Sequence, residues 1–229
     1  MNLLRRLESR ALIMLFAAAA AVWAFLAVGG EMREGETLAL DRKILLAFQT
    51  PGHPDQPLGP HGFQEAMRDV TALGGVTVLT LVTIVAALIF IFHRKLRHAG
   101  VFVGAVLVAQ VGSELLKNLY GRPRPELVPH GSYVYSASFP SGHSMLAATV
   151  YLTLAALVST LEPRRATRVL VFATAIVVMV AVGVSRIYLG VHWPSDVLAG
   201  WCAGAGVALI AWAGVLRLTK GRDGVAKSS

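Results

Sequence analysis

The segment from Ser185 to Asp196 contains a histidine and a carboxylate at a spacing that suits nucleophilic chemistry. Pro194 favours the first turn of a helix, so Asp196 would lie within that turn and could reach back to His192. A carboxylate bound to one imidazole nitrogen fixes the tautomer and leaves the other nitrogen available to attack. The alternative is ordinary capping, in which Ser195 or Asp196 satisfies the first N–H groups of the helix.

A second polar segment, Pro140 to Ser144, immediately precedes a long apolar run. The N–H groups and the dipole at a helix N-terminus attract anions, and Gly142 lets the backbone approach a ligand closely. Ser141 could donate its hydroxyl to a phosphate group, and His143 could protonate a leaving oxygen. The serines could equally cap the helix, so this segment alone fits both interpretations.

The third polar segment is cationic and begins with Lys117 at the end of an apolar run. Arg124 follows, with a proline on each side, in a turn that starts at Tyr120. The prolines limit where the guanidinium can point, and its planar fork suits two oxygens of a phosphate group. For Lys117 the alternative is an ammonium group that extends towards lipid headgroups.

The composition indicates that these segments lie in a membrane protein. Of the 229 residues, 55% are hydrophobic and 15% are charged, and the mean hydropathy is +0.61. The net charge of +8 comes from basic residues scattered between apolar runs, which is typical of membrane flanks, so we expect no nucleic-acid partner. Cys202 is the one cysteine of the sequence and excludes an intramolecular disulfide.

Six apolar runs approach the roughly 20 residues that a membrane-spanning helix needs. We therefore predict an all-α fold, a six-transmembrane-helix bundle that forms a single domain over residues 1–229. The predicted spans are 11–29, 73–92, 99–116, 144–161, 169–184 and 197–218. The first could be a cleaved signal peptide, but its apolar core exceeds about 7 to 15 residues, so a retained helix is expected.

The distribution of lysine and arginine predicts the orientation, because cytoplasmic loops carry the excess. With both termini in the cytoplasm, thirteen of the 21 basic residues lie inside: Arg5, Arg6, Arg10, Arg94, Lys95, Arg97, Arg164, Arg165, Arg168, Arg217, Lys220, Arg222 and Lys227. This topology places all three polar segments at the extracytoplasmic membrane interface. We expect a multi-pass protein of the bacterial inner (plasma) membrane.

Residues 30–72 form the longest predicted outward segment. Apolar residues at helical spacing predict a short amphipathic helix on the membrane surface: Leu38, Leu40, Ile44, Leu45 and Phe48. Pro51, Pro54, Pro57 and Pro60 then predict a stiff, turn-rich loop. This loop either caps a headgroup site or merely connects two spans.

Together the three segments resemble the signature of the type 2 phosphatidic acid phosphatase (PAP2) family, in its membrane lipid phosphatase branch. That signature reads Lys, six residues, Arg-Pro; then Pro-Ser-Gly-His; then Ser-Arg, five residues, His, three residues, Asp. The matching positions occur in order and at that spacing: Lys117, Arg124, Pro125, Pro140 to His143, Ser185, Arg186, His192 and Asp196. The core motifs cover residues 117–196.

The resemblance implies that His192 attacks phosphorus to form a phosphohistidine, that Asp196 orients it, and that His143 is the general acid. It also implies that five residues bind the phosphate oxygens: Lys117, Arg124, Ser141, Gly142 and Arg186. It implies no cofactor. A two-metal site would need several carboxylates, whereas the polar segments contain only Glu126 and Asp196, so we expect no metal.

The resemblance further implies a lipid phosphate substrate held in the bilayer and a metal-independent lipid phosphate phosphatase. The candidates are undecaprenyl pyrophosphate, phosphatidic acid and phosphatidylglycerol phosphate, the first being preferred for an outward-facing enzyme of cell-wall carrier recycling. Transfer of the phosphate to a lipid acceptor, such as a lipid A headgroup, is an alternative. Vanadium haloperoxidases share the pocket but are soluble, and a scaffold or transporter would most simply have lost a catalytic residue.

Overall fold

The computed structural model of the protein describes residues 2–130 and 136–225, which form eight helices and one short hairpin. The helices are α1 (Asn2–Glu34), α2 (Leu38–Leu46), α3 (His61–Ala72), α4 (Val76–Phe92), α5 (Leu96–Tyr120), α6 (Gly142–Leu161), α7 (Arg165–Tyr188) and α8 (Pro194–Val225). The hairpin pairs β1 (Gln49–Thr50) with β2 (His53–Pro57) in antiparallel fashion. The predicted all-α class is confirmed, with this hairpin as the exception.

Within the described residues, five helices are long and apolar enough to cross a membrane: α1, α5, α6, α7 and α8. The second predicted span, 73–92, has a different form. Helix α4 begins only at Val76 and has 17 residues, and it is bent by 47° from α3. The two count as a sixth span only if the bent pair is taken as one broken crossing.

The break between α3 and α4 has a packing reason at Gly74. A Cβ at this position would clash with the side chain of Val182 and lie 3.2 Å from the backbone oxygen of His143. Glycine therefore lets the α3–α4 junction pack directly against α6 and α7. The bend brings the end of α3 to the same end of the bundle as His143.

Residues 30–72 are more ordered than the sequence analysis predicted. The expected short helix is confirmed as α2, although Leu45 is fully buried while Leu38 and Leu40 are exposed. The turn-rich loop predicted at Pro51, Pro54, Pro57 and Pro60 contains the β1–β2 hairpin, and α3, which was not predicted, begins directly after Pro60. The apolar residues of α3 recur at helical spacing, but they are too few to stand out beside the neighbouring proline cluster.

Helix α6 is the centre of the bundle and packs against α5, α7 and α8, whereas α1 packs mainly against α8. Phe102, Val150 and Leu157 are fully buried in the main apolar cluster. Large apolar side chains such as Phe16 and Leu81 are exposed on the outside of the bundle. Such an outer surface suits lipid, which solvates apolar side chains.

Helices α6 and α8 approach closely because α8 carries Gly200 and Gly204 on the contact face. A Cβ at Gly200 would lie 2.7 Å from the backbone oxygen of Ser141 and 2.9 Å from the Cβ of Ser144. A Cβ at Gly204 would overlap the backbone oxygen of Met145. Small residues at four-residue spacing permit this kind of close packing in membranes.

Replacing Gly204 with Val is expected to lower the stability of the detergent-solubilised protein, because the side chain would force α8 away from α6. Overpacking of this kind costs about 1–3 kcal/mol. Thermal unfolding followed by size-exclusion chromatography measures the loss. Gly214→Val is the matched control on the same helix, since nothing lies within 4 Å of a Cβ there. Equal effects of the two substitutions would contradict this account.

Candidate active site

The three polar segments meet at one end of the bundle, where α5 and α7 end and α6 and α8 begin. The N–H of Ser141 donates to the backbone oxygen of Asp196 over 3.0 Å, which joins the first turns of α6 and α8. Arg124, in the segment after α5, contacts His192 in the segment before α8. Residues far apart in the sequence therefore share one buried site.

His192 and Asp196 form the centre of this site, and both are almost fully buried. The Nδ1 of His192 lies 3.4 Å from Oδ2 of Asp196, and Nη1 of Arg124 lies 3.1 Å from Nε2. A guanidinium can only donate, so Nε2 accepts and the proton of the neutral ring belongs on Nδ1. The lone pair of Nε2 therefore faces the cationic side of the site.

Burial lowers the pKa of His192 to about 4 and is the largest influence on it. The hydrogen bond and the charge of Asp196 raise this pKa, whereas the charges of Arg186 and Arg124 lower it. The ring is consequently neutral at pH 7. A neutral imidazole is the form that can attack an electrophile.

Arg124 is held in place by main-chain acceptors. Its Nε donates to the backbone oxygen of Ser136 over 2.8 Å, and its Nη1 donates to the backbone oxygen of Val191 over 2.6 Å. The ammonium group of Lys117 donates to Oγ of Ser136 over 3.2 Å and forms a 3.4 Å ion pair with the exposed Glu114. Ser136 thus links two of the predicted phosphate-binding residues.

Arg186 is 3% exposed and donates from Nη1 to Oγ1 of Thr71 over 3.0 Å. Its Nε is buried without a hydrogen-bond partner. Neither Arg186 nor Arg124 has a carboxylate partner among residues 2–130 and 136–225. Since buried cations are normally paired, the buried Arg186 together with the half-buried Arg124 indicates a site for an anion.

The turn from Ser141 to Ser144 is built as a helix cap. Ser141 is the N-cap of α6, and its Oγ accepts from the N–H and the hydroxyl of Ser144. Capping and the proposed contact with an anion are compatible, because the Ser141 hydroxyl proton is still available to donate. In the described part of the chain, the N–H groups of Gly142 and His143 have no hydrogen-bond partner.

Gly142 and His143 lie directly beside the cations. A Cβ on Gly142 would lie 3.2 Å from Nζ of Lys117, so glycine allows the ammonium group to approach the backbone of the turn. His143 is half-buried. Its side chain interacts electrostatically with four groups of the site: Arg186, His192, Lys117 and Arg124.

Arg122, a buried arginine that was not among the predicted site residues, contacts the same carboxylate as His192. Its Nη1 donates to Oδ1 of Asp196 over 2.6 Å, and its Nη2 donates to Oδ2 of Asp41 over 2.8 Å. One signal was present: Asp41 and Leu45 are four residues apart in a short apolar helix, so they share its buried face. The sequence offers no indication that Arg122 is the partner of Asp41.

Three hydroxyl residues that support the site were also missed. Ser138 donates to Oδ2 of Asp196 over 2.5 Å and lies 3.3 Å from Nδ1 of His192. Ser136 and Thr71 hold the cations described above. Single serines and threonines next to loops carry no recognisable pattern, so only the fold reveals these contacts.

The buried carboxylates of the site already accept several protein hydrogen bonds. Asp196 accepts from the N–H of Trp193 over 2.9 Å in addition to its contacts with Arg122, Ser138 and His192. Within the described ranges, no three His, Cys, Asp or Glu side chains are placed to share a metal ion. The charged ligands offered to a bound group are therefore cations.

The chain is similar in sequence to a known protein family and to several characterised proteins. The family model described as the PAP2 superfamily matches residues 98–220. Phosphatidylglycerophosphatase B of Bacillus subtilis (strain 168) is 39% identical over 144 residues, which cover 61% of this chain and 69% of that protein. An undecaprenyl-diphosphatase of Sulfolobus acidocaldarius is 30% identical over 131 residues, covering 55% of this chain and 59% of the relative.

Among solved structures, the chain is similar to a transmembrane PAP2-type phosphatidylglycerolphosphate phosphatase from Bacillus subtilis. The TM-score is 0.77 and the sequence identity 26%, and the superposition covers 90% of this chain and 97% of the other. The similarity therefore includes the helices that surround the site. It extends well beyond the three polar segments.

Proposed function

This chain belongs to the PAP2 superfamily, and from that premise we propose that it is a membrane phosphatase that hydrolyses the terminal phosphate of a lipid phosphate or diphosphate. One observation carries the proposal. The Nε2 lone pair of His192 faces Arg124, 3.1 Å away, in a site where Arg124 and the buried Arg186 have no carboxylate partner in the described ranges. A nucleophile next to cations that lack an ion-pair partner suits attack on a phosphate group.

In the first step, Nε2 of His192 attacks phosphorus and the bond from phosphorus to the lipid oxygen breaks. His143 gives its proton to that oxygen, so the lipid leaves as an alcohol, or as a lipid monophosphate when the substrate is a diphosphate. The phosphohistidine ring is then positively charged. Asp196, hydrogen-bonded to Nδ1, stabilises this charge.

In the second step, water attacks the phosphohistidine and His143 takes a proton from it. The bond between nitrogen and phosphorus breaks, inorganic phosphate leaves, and His192 returns to its neutral form. Each histidine thus ends the cycle in its starting protonation state. The reaction consumes one water molecule for each phosphate released.

The remaining residues bind and stabilise the transferred group. Phosphoryl transfer depends mainly on positioning and on charge stabilisation at the equatorial oxygens. Lys117, Arg124 and Arg186 supply three positive charges, and Ser141 with the N–H of Gly142 supplies neutral donors. Three cations around one phosphate provide this stabilisation without a metal ion, so the proposed reaction is metal-independent.

The membrane position is part of the proposal. Thirteen of the 21 basic residues lie in segments that the positive-inside rule assigns to the cytoplasm, together with both termini. The site would then open at the extracytoplasmic headgroup level of the inner membrane. A lipid anchored in that leaflet would present its phosphate at the depth of the histidines.

The purified protein in detergent is expected to release inorganic phosphate in the presence of excess EDTA. Phosphatidylglycerol phosphate is the first substrate to test, because it is named in the Bacillus subtilis relatives. Undecaprenyl diphosphate and phosphatidic acid complete the panel. Phosphate release with and without EDTA, measured colorimetrically, gives the rates.

Two results would count against this function. Loss of activity in EDTA, restored by a divalent cation, would contradict the metal-independent reaction. If labelled phosphate moves from the substrate to an added lipid acceptor and no inorganic phosphate is released, the reaction is transfer and not hydrolysis. Comparable rates on all three lipids would leave the proposed phosphatase intact and describe a broad headgroup specificity.

A further inference from the structure

A chain of buried charges connects the catalytic centre to α2, outside the three signature segments. Arg122 lies between Asp41 and Asp196 and forms ion pairs of 2.8 Å and 2.6 Å with them. The side chains of the three residues are 9%, 3% and 0% exposed, in the order Arg122, Asp41 and Asp196. One guanidinium therefore bridges two carboxylates away from solvent.

Ser195 closes the connection at the start of α8. Its N–H donates to Oδ1 of Asp41 over 2.8 Å, and its hydroxyl donates to Oδ2 over 2.6 Å. Nη1 of Arg122 in turn donates to Oγ of Ser195 over 2.7 Å. Asp41 thus caps the helix that carries Asp196, although it lies 154 residues earlier in the chain.

The two oxygens of Asp196 have separate tasks. Oδ2 faces Nδ1 of His192, whereas Oδ1 accepts from Arg122. Because a planar guanidinium restricts the directions of its hydrogen bonds, Arg122 fixes the rotation of the carboxylate and so the direction of the imidazole. Its positive charge also reduces the negative potential that Asp196 exerts on His192.

We propose that Arg122 and Asp41 are positioning residues of the catalytic histidine, with Arg122 orienting Asp196 and Asp41 holding Arg122. Neither touches His192, so both act through the Asp196 carboxylate. The inference rests on the proposed function, in which His192 is the nucleophile. It adds one residue of α2, Asp41, to the residues that position the catalytic histidine.

The proposal makes opposite electrostatic predictions for the two residues. Removing the cation of Arg122 leaves the charge of Asp196 uncompensated, which stabilises protonated His192 and raises its pKa. Removing the anion of Asp41 leaves Asp196 as the one carboxylate, among the described residues, that is paired with Arg122, so the positive charge of Arg122 acts more strongly on His192 and lowers the same pKa. The other charged groups around His192 come from α5, α6, α7 and the segment after α5, and stay constant in these variants: Lys117, His143, Arg186 and Arg124.

The test compares Arg122→Gln, Asp41→Asn and the double variant by phosphate release between about pH 4 and 8. Arg122→Gln should lower kcat at least about tenfold with little change in KM. It should also move the acidic limb of the pH–kcat profile to higher pH. Asp41→Asn should lower kcat without that upward movement. In the double variant, the acidic limb of the pH–kcat profile should lie close to its position in the wild-type protein. Arg42→Gln, a charge removal at an exposed position of the same helix, is the matched control and should change neither quantity.

A second readout is independent of turnover. The pKa of His192, followed by NMR of the ¹⁵N-labelled imidazole, should rise in Arg122→Gln and fall in Asp41→Asn. If the pKa of His192 shifted in the same direction in both variants, or did not shift, the proposal would be overturned even if the rates of phosphate release declined. Should Arg122→Gln fail to fold, Arg122→Lys takes its place and should lower kcat, since an ammonium group lacks the fork that reaches both carboxylates. If the wild-type protein releases no phosphate, the proposed function fails, whereas the titration still decides the role of Arg122 and Asp41.

Discussion

His192→Ala is expected to abolish phosphate release while the protein remains folded. No other described imidazole has the same environment, a carboxylate on one nitrogen and an arginine on the other. Loss of a covalent nucleophile lowers the rate by about 10⁴-fold or more. The fold should survive because Asp196 keeps its hydrogen bonds from Arg122, Ser138 and the N–H of Trp193.

Three measurements test this expectation: phosphate release, thermal unfolding, and trapping of the phosphoenzyme after acid-free quenching. The wild-type protein should carry phosphate that is stable to base and labile to acid, the behaviour of phosphohistidine, and His192→Ala should carry none. His93→Ala is the control, since His93 is exposed at the opposite end of the bundle. Substantial turnover by a folded His192→Ala protein would exclude His192 as nucleophile.

His143→Gln is expected to separate the two steps of the reaction. A lipid alkoxide is a poor leaving group and needs a proton, so hydrolysis of phosphatidylglycerol phosphate should fall by about 10²- to 10⁴-fold. An aryl phosphate leaves without protonation, so the first step should proceed with that substrate. Since His143 is also proposed to activate water, the phosphoenzyme should then accumulate.

Rapid-quench kinetics with p-nitrophenyl phosphate would detect this accumulation as a burst of p-nitrophenol followed by a slow steady rate. His192→Ala provides the comparison and should show no burst. His143 is half-buried and among the described residues makes no side-chain hydrogen bond, so Gln at this position should be tolerated structurally. Equal losses on the lipid and the aryl substrate, without a burst, would contradict the role of His143 as general acid.

The sequence was informative about the site wherever a local motif implies a local geometry. Pro194 starts α8, so Asp196 lies in the first turn and reaches back to His192 within one short segment. Ser141 caps α6 for the same kind of reason. Such contacts span only a few residues and follow from the geometry of helix ends.

Contacts between distant segments could not be predicted in this way. Arg122 and Asp41 are separated by 81 residues, and their pairing depends on how α2 packs against the start of α8. The contact of Thr71 with Arg186 likewise depends on the bend after α3. A single sequence contains the residue types but not the packing that brings them together.

The predicted spans illustrate the same distinction. Hydropathy located the five long helices because burial in lipid requires an extended apolar stretch. It could not locate the break before Val76, since Leu73 is apolar and glycine is common in membrane helices. The reason for the break is the contact of Gly74 with α6 and α7, which is a property of the packed bundle.

The pairing of α1 with α8 has a consequence for biosynthesis. Helix α1 packs mainly on α8, which is synthesised much later and also carries Asp196 and completes the hydrogen bonds of Asp41. During translation, α1 and Asp41 are therefore made before their partner α8 exists. The charged groups around His192 are complete only after the start of α8 has been made, so a nascent chain arrested before Pro194 would have no working site.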